Sequence, residues 1–82
     1  MARSITEVTK GACTRFWVDG VQVAVVKKNP LGKVTMWPWK VQYGPNQKRK
    51  LILSRSLGTR TSALKFAERA VNDHLEMTKP HA

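Results

Sequence analysis

Apolar and polar side chains alternate along most of the chain before residue 58, and this pattern predicts β-strands with one buried face. Two β-rich runs, TRFWV and VQVAVVKK, flank the dipeptide Asp19-Gly20, whose residues accept the positive φ angles of a tight hairpin turn. A third strand is predicted over residues 34 to 43, and a fourth in LILSRSL, after the loop GPNQKRK. Pro38 cannot donate to a ladder, so regular pairing of the third strand should begin near Trp39.

The period of the apolar positions changes to 3.6 residues after residue 60, which predicts an amphipathic helix. Its apolar side holds Ala63, Leu64, Phe66, Ala67, Ala70, Val71, His74, Leu75 and Met77. Thr61 or Ser62 is expected to cap the first turn, and Pro80 to end the helix at the latest. His74 is interpreted as a packed, hydrogen-bonded histidine of the core rather than a catalytic base.

Four strands joined by short turns and followed by one helix predict an α+β fold: a small antiparallel sheet of three to four strands, built from β-hairpins and packed on one C-terminal α-helix. The length of 82 residues fits one domain. The predicted organisation is a flexible N-terminal arm at residues 1–12, a single domain at 13–78 and a tail at 79–82. An exposed edge strand could pair two copies, so a monomer and an edge-strand dimer both stay open.

Alternation also assigns side chains to the two faces of the sheet. The positions predicted to face the helix are Phe16, Val18, Val21, Val23, Val25, Trp37, Trp39, Val41, Tyr43, Leu51 and Leu53. Both tryptophans of the third strand are therefore expected in the core. Arg55 also falls on the helix-facing parity and is expected at the strand end or beyond a bulge. The positions predicted on the other face include Arg15, Trp17, Lys40 and Gln42.

The charge of the chain is strongly asymmetric. Fifteen Lys and Arg oppose five Asp and Glu, a net charge of +10, and the whole excess lies before residue 61. Self-repulsion of this size is usually retained where an anionic partner relieves it. Nucleic acid is the first candidate partner and an acidic host protein the second. An anionic membrane is set aside, because the cations lie in turns and not along an amphipathic helix.

The candidate nucleic-acid-binding residues are the cations of the sheet and its loops, with one aromatic and one amide side chain. They are Arg15, Trp17, Lys27, Lys28, Lys33, Lys40, Gln42, Lys48, Arg49, Lys50, Arg55 and Arg60. The loop cations would contact phosphates. A sheet face can enter a major groove and place polar forks on base edges. The side chains expected to read bases are Arg15, Lys40, Gln42 and Arg55, and Trp17 is the aromatic most suited to a contact.

The sequence has no pattern of catalytic, cofactor-binding or metal-binding residues, so an enzyme is not expected and neither a cofactor nor a metal is predicted. Cys13 is the only cysteine and is interpreted as a partly buried thiol. One cysteine and two distant histidines do not have the spacing of a zinc site. Without a signal-peptide pattern or an apolar run of about 18 residues, a soluble cytoplasmic protein is expected.

The predicted architecture resembles the arm-site DNA-binding domains of tyrosine integrases and the plant AP2 domains, in which a C-terminal helix lies behind a three-stranded sheet. The matching stretches are WKVQY, GPNQKRK and GTRTSALKFAERAV, within residues 14 to 76. The resemblance implies that the open sheet face lies in the major groove of DNA.

The start of the helix is also similar to that of the last helix of double-stranded-RNA-binding domains. The positions that share the spacing are Gly58, Thr61, Ala63, Lys65, Phe66, Ala67 and Ala70. The lysine pair of those domains is missing, and only Arg60 is near its place. Both resemblances are general, and neither identifies a family.

We therefore expect a small basic protein that binds nucleic acid, duplex DNA ahead of RNA, through the open sheet face and its basic loops. An accessory or regulatory role in a phage or mobile element suits its size and charge. The alternative is a small basic inhibitor or adaptor that docks on an acidic patch of a host nuclease, RNA polymerase or defence complex. A patch around Trp17 and Ile52 would then hold the partner.

Overall fold

A five-stranded antiparallel sheet carries one long helix across one of its faces. The computed structural model describes residues 4–78. Each strand pairs with the next one along the chain, so the sheet order is β1-β2-β3-β4-β5. The elements are β1 Ile5–Lys10, β2 Cys13–Val18, β3 Val21–Lys28, the short helix α1 Gly32–Thr35, β4 Trp39–Pro45, β5 Leu51–Leu57 and α2 Arg60–Met77.

The α+β fold with one helix packed on an antiparallel sheet is confirmed, but the sheet has five strands and not three to four. The additional strand, β1, lies within the segment predicted to be an arm and pairs along its whole length with β2. All six of its residues are exposed. Because β1 is held by backbone hydrogen bonds and buries no apolar face, hydrophobic alternation could not reveal it. The predicted tail and the first three residues lie outside the described residues.

The core lies between α2 and the central strands. Three buried helix residues, Ala63, Ala67 and Val71, recur every fourth position and face the sheet. Two of them are alanines, whose small size lets the helix backbone approach the strands closely. The sheet side of this core consists of Phe16, Val18, Val23, Ala24, Val26 and Val41. Partly buried side chains surround it: Trp39, Tyr43, Leu57, Leu64, Phe66, Ala70 and Leu75.

The N-cap of α2 is Thr59, two or three residues earlier than predicted. Its extended backbone, with φ −135° and ψ 156°, precedes the helix, and its Oγ1 accepts a hydrogen bond from the Ser62 N–H at 3.1 Å. The expectation that Thr61 or Ser62 caps the helix was wrong, since both already lie within the first turn.

A bulge in β3 changes which of its side chains face the helix. The ladder between β2 and β3 shifts between Phe16 and Trp17, so Val23 has no Cα partner in β2. Both Val23 and Ala24 are therefore buried under α2, whereas Val25 lies on the opposite face. The prediction that Val25 faces the helix was wrong, because one extra residue inverts the alternation beyond it.

The two tryptophans around Pro38 have different surroundings. Trp39 begins β4 and packs against the core, as predicted. Trp37 precedes the strand and is 51% exposed, so its expected place in the core was wrong. Alternation applies only where the backbone is extended and paired, and pairing begins at Trp39, paired with Lys28.

Candidate nucleic-acid interface

The face of the sheet opposite α2 is the candidate site, and we term it the open face. The ladder pairs place the following side chains on it: Thr6, Val8, Lys10, Cys13, Arg15, Trp17, Gln22, Val25, Lys27, Lys40, Gln42, Ser54 and Ser56. The helix occupies the other face and contacts β2, β3, β4 and β5 there. The polar side chains of the open face therefore remain accessible to a partner.

A continuous ladder row crosses the middle of the open face. Val8, Arg15, Val25, Gln42 and Ser54 lie opposite one another in consecutive strands. Val25 is only 4% exposed although it faces away from the helix, which means that longer side chains beside it cover it. In this row the polar ends of Arg15 and Gln42 therefore lie at the surface, above the covered apolar side chain of Val25.

Arg15 is held by a side chain that the sequence analysis did not single out. Its Nη1 donates a hydrogen bond to Gln22 Oε1 at 3.0 Å, and Gln22 lies opposite Trp17 in the ladder. The remaining N–H groups of the guanidinium can point to a ligand from a fixed position. A polar residue at the start of an otherwise apolar strand was the only sequence signal for Gln22.

A second row brings two lysines together. Lys27 and Lys40 are direct ladder partners on the open face, and Ser56 follows Lys40 in β5. Like charges directly opposite each other destabilise a sheet. Both side chains are only half exposed, so their aliphatic stems lie along the sheet.

All five acids of the chain lie off the open face. Glu7 is paired with Phe16 and has the parity of the helix side, and Asp19 lies in the turn between β2 and β3. The other three are on α2, namely Glu68, Asp73 and Glu76. Lys10, Arg15, Lys27 and Lys40 therefore stand on this face without a carboxylate among them.

Further predicted cations gather where β3 ends and β4 begins, which we term the lysine end of the sheet. Lys28 is the partner of Trp39 at this end, and Lys33 lies in the connection that follows. Arg60 opens α2 three residues after Leu57, which also pairs with Trp39. These three cations border the open face but do not lie on it.

The basic hairpin between β4 and β5 lies at the other end of the sheet. Its three exposed cations are Lys48, Arg49 and Lys50, and β4 spans about 20 Å between the two ends of the sheet, the six residue steps from Trp39 to Pro45. Asn46 organises the loop, because its Oδ1 accepts hydrogen bonds from the N–H groups of Lys48 and Lys50, each at 2.9 Å. The sheet thus carries cations at both ends.

Arg55 lies apart from the other residues expected to read bases. It pairs with Val41 in the middle of β5, on the helix side, and its Cζ lies 5.2 Å from the centroid of the Phe66 ring. The expectation of a strand end or a bulge was therefore wrong. A cation–π contact with a core aromatic ring accounts for a cation at this position. Arg55 cannot share a base contact with Arg15 or Gln42, because the sheet separates them.

Trp17 and Ile52 do not form a compact patch. They lie on β2 and β5, three strand spacings or about 14 Å apart, and Ile52 lines a cavity with Ala70 and His74 of α2. Trp17 is half buried between Thr6 and Gln22, its ladder partners. The apolar anchor that would hold an inhibitor on a protein surface is therefore divided.

Two further kinds of feature can be described for residues 4–78, a metal site and a membrane-spanning helix. No group of three or more His, Cys, Asp or Glu side chains in this part of the chain could hold a metal ion. No helix within the same residues is long and apolar enough to cross a membrane. Cys13 is half buried at the start of β2, and His74 is half buried on α2.

Comparison of the chain with protein-family models, with curated proteins and with solved structures found no match. The three-stranded sheets of the integrase arm-site and AP2 domains also differ from the five-stranded sheet of this chain. The geometry and charge of the chain's own surface therefore carry the proposed function.

Proposed function

We propose that this protein binds duplex DNA through the open face. The observation that carries the proposal is a sheet face that the helix leaves uncovered and that holds Arg15, Lys27, Lys40 and Gln42 with no acid among them. A polyanion would neutralise the cations and relieve the repulsion between the paired lysines.

The spacing of the central strands suits the major groove. β2 and β4 are two strand spacings apart, about 10 Å, and the groove of B-DNA is about 12 Å wide. The central strands would enter the groove, while β1 and β5 lie over its borders. Arg15 would then offer two N–H groups to guanine, and the Gln42 amide is suited to adenine.

The cations at the two ends of the sheet would contact phosphates. The lysine end and the basic hairpin lie on either side of the central row, about 20 Å apart along β4. Six to eight such contacts would give a slope of log affinity against log salt of about −5 to −7. These contacts hold the protein in place on the duplex without reading its sequence.

The test is fluorescence anisotropy of labelled duplex DNA, duplex RNA and single-stranded DNA between about 50 and about 200 mM salt. The variant Lys27→Ala/Lys40→Ala removes two charges from the open face. We expect it to bind duplex DNA more weakly and to reduce the steepness of the salt slope by about two.

The matched control is Lys65→Ala/Arg69→Ala, which removes two exposed cations from α2. It should bind like the unaltered protein. Equal losses in both variants would show that net charge and not the open face governs binding. A protein that binds none of the three nucleic acids near physiological salt would refute the proposal. An acidic protein partner, the alternative function, would then be sought.

A further inference from the structure

The connection between β3 and β4, residues 29–38, exposes an unusual amount of apolar surface. Met36 is 85% exposed, Val34 83%, Leu31 61% and Trp37 51%. We term these four residues the apolar tip. Single exposed apolar residues are common on proteins, but a cluster of this kind within seven residues marks a contact surface.

The apolar tip belongs to a loop whose base is closed by hydrogen bonds. The Asn29 N–H donates to the Pro38 carbonyl at 2.9 Å, and Asn29 Nδ2 donates to the Trp37 carbonyl at 2.8 Å. Asn29 Oδ1 also accepts from the Leu31 N–H at 3.0 Å. The hydrogen bonds of Asn29 thus hold the two ends of the loop together. The apolar residues between them are therefore kept in a defined position relative to the sheet.

Met36 has a backbone conformation that is unfavourable for its side chain. Its φ is +63°, in the left-handed region that glycine occupies without strain. Glycine would suit this backbone better, and the methionine side chain makes up for none of the strain by burial, since it is 85% exposed. Unbranched methionine is a side chain that adapts to irregular apolar surfaces.

The surroundings of the apolar tip are cationic. Lys28 and Lys33 line a shallow cavity of about 450 Å³ at the base of the loop, together with Asn29, Pro38 and Trp39. The chain has no Asp or Glu at all between residues 20 and 67. The partner of this surface must therefore combine negative charge with apolar surface.

We infer that the apolar tip inserts a side chain, that of Met36 first, between adjacent base pairs in the minor groove that borders the open face. This inference rests on the proposed function. Methionine and leucine are among the side chains that unstack a base step and kink a duplex, by about 20 to 90°. Lys28 and Lys33 hold the phosphates on either side of the unstacked step.

A base step suits this surface better than a lipid bilayer or a protein cleft. The loop begins two residues after Lys27 and ends two residues before Lys40, the paired lysines of the open face, so one ligand would contact both. The side chains of Arg15 and Gln42 on that face can each form two hydrogen bonds to the edge of a base, and a bilayer has no such edges. The minor groove is about 6 Å wide, and apolar side chains such as methionine and leucine insert between base pairs from it.

The test measures unstacking and bending separately from affinity. Duplexes carrying 2-aminopurine at successive positions report unstacking by a rise in fluorescence, and duplexes labelled at both ends report bending by energy transfer. With the unaltered protein we expect a severalfold rise at one step and a shortened end-to-end distance.

Two substitutions of Met36 separate this role from folding. Met36→Gly removes the side chain and relieves the backbone strain, so it should unfold at the same temperature as the unaltered protein or at a higher one. Met36→Ser and Met77→Ser form a matched pair, because Met77 is 84% exposed at the end of α2, far from the loop in sequence. Both Met36 variants should lose the fluorescence rise and the bend, and Met77→Ser should keep them.

The outcomes distinguish the inference from the proposed function. Duplex binding with no unstacking or bending at any probe position, or unstacking that persists in both Met36 variants, would overturn the inference and leave the proposed function in place. No duplex binding at all would refute both. Binding to phosphatidylserine vesicles that depends on Met36, with duplex DNA unaffected by its loss, would assign the tip to a membrane and overturn the inference.

Discussion

Single residues at positive φ determine where the sheet turns. Gly20 has φ +81° in the turn between β2 and β3, beside Asp19 at φ +50°. This pair of positive φ values is typical of the tight turns that Asp-Gly favours. Gly44 has φ +72° near the end of β4, just before the basic hairpin. Both glycines therefore have a conformational reason for their identity.

We expect Gly20→Ala and Gly44→Ala to lower the free energy of unfolding by similar amounts, about 1 kcal/mol each, from the strain of a Cβ at positive φ. A Cβ at Gly20 would meet nothing within 4 Å, whereas one at Gly44 would lie 3.0 Å from Leu53 Cδ1. Leu53 is 49% exposed and can rotate away, so this contact should add little. Urea denaturation of both variants measures the difference.

The comparison of Gly20 with Gly44 separates the cost of positive φ from the cost of the contact with Leu53. A loss in Gly44→Ala that exceeds the loss in Gly20→Ala by more than about 1 kcal/mol would mean that Leu53 is tightly held against the hairpin. The φ strain would then not be the main cost at that position.

At the scale of elements, α2 depends on its cap and on its small apolar residues. Thr59 satisfies the Ser62 N–H, one of the groups that a helix start leaves without an intrahelical partner. The helix then buries Ala63, Ala67 and Val71 against the sheet. The N-cap sets the residue at which the helix begins. The burial of Ala63, Ala67 and Val71 sets the face that the helix turns to the sheet.

Thr59→Ala should lower the free energy of unfolding by about 1 kcal/mol, the usual loss of an N-cap. Thr61→Ala is the control, because Thr61 is exposed within the first turn and alanine is a better helix former. It should be neutral or slightly stabilising. Chemical denaturation followed by circular dichroism tests the pair, and a larger loss in Thr61→Ala would contradict the assignment of the cap.

At the scale of the whole molecule, the positive charges lower the stability of the folded state, and the same charges would bind DNA at the proposed site. The net charge of +10 repels itself in the folded state, and Lys27 and Lys40 are paired directly across two strands. A protein under selection for stability alone would place an acid or a neutral residue at one of these positions. The repulsion is a cost that binding to an anion removes.

Lys27→Gln should therefore raise the free energy of unfolding by about 0.2 to 1 kcal/mol while it weakens binding to duplex DNA. Lys10→Gln is the control for stability, since Lys10 lies opposite Cys13 and faces no cation in the ladder. Urea denaturation and anisotropy of the same two variants measure both effects. If Lys27→Gln destabilised the protein, the repulsion between the lysines would not be what limits its stability.

Local patterns in the sequence were sufficient for the helix, for the hairpin at Asp19-Gly20 and for the asymmetry of the charge. Helical periodicity and turn chemistry act over a few residues, so they can be read without knowing the fold. The outward positions of Arg15, Lys40 and Gln42 also followed from alternation, because the strands are regular at those residues.

Four features followed only from the tertiary structure. They are the pairing of β1, the bulge in β3, the position of Arg55 on the helix side of the sheet and the exposure of Trp37. β1 is defined by pairing with β2, and a single unpaired residue, Val23, inverts the faces beyond it. Pairing depends on contacts between segments distant in sequence, which no local period records. The sequence alone determined the long helix, four of the five strands and the charge, and the register of the strands determined which side chains share the open face.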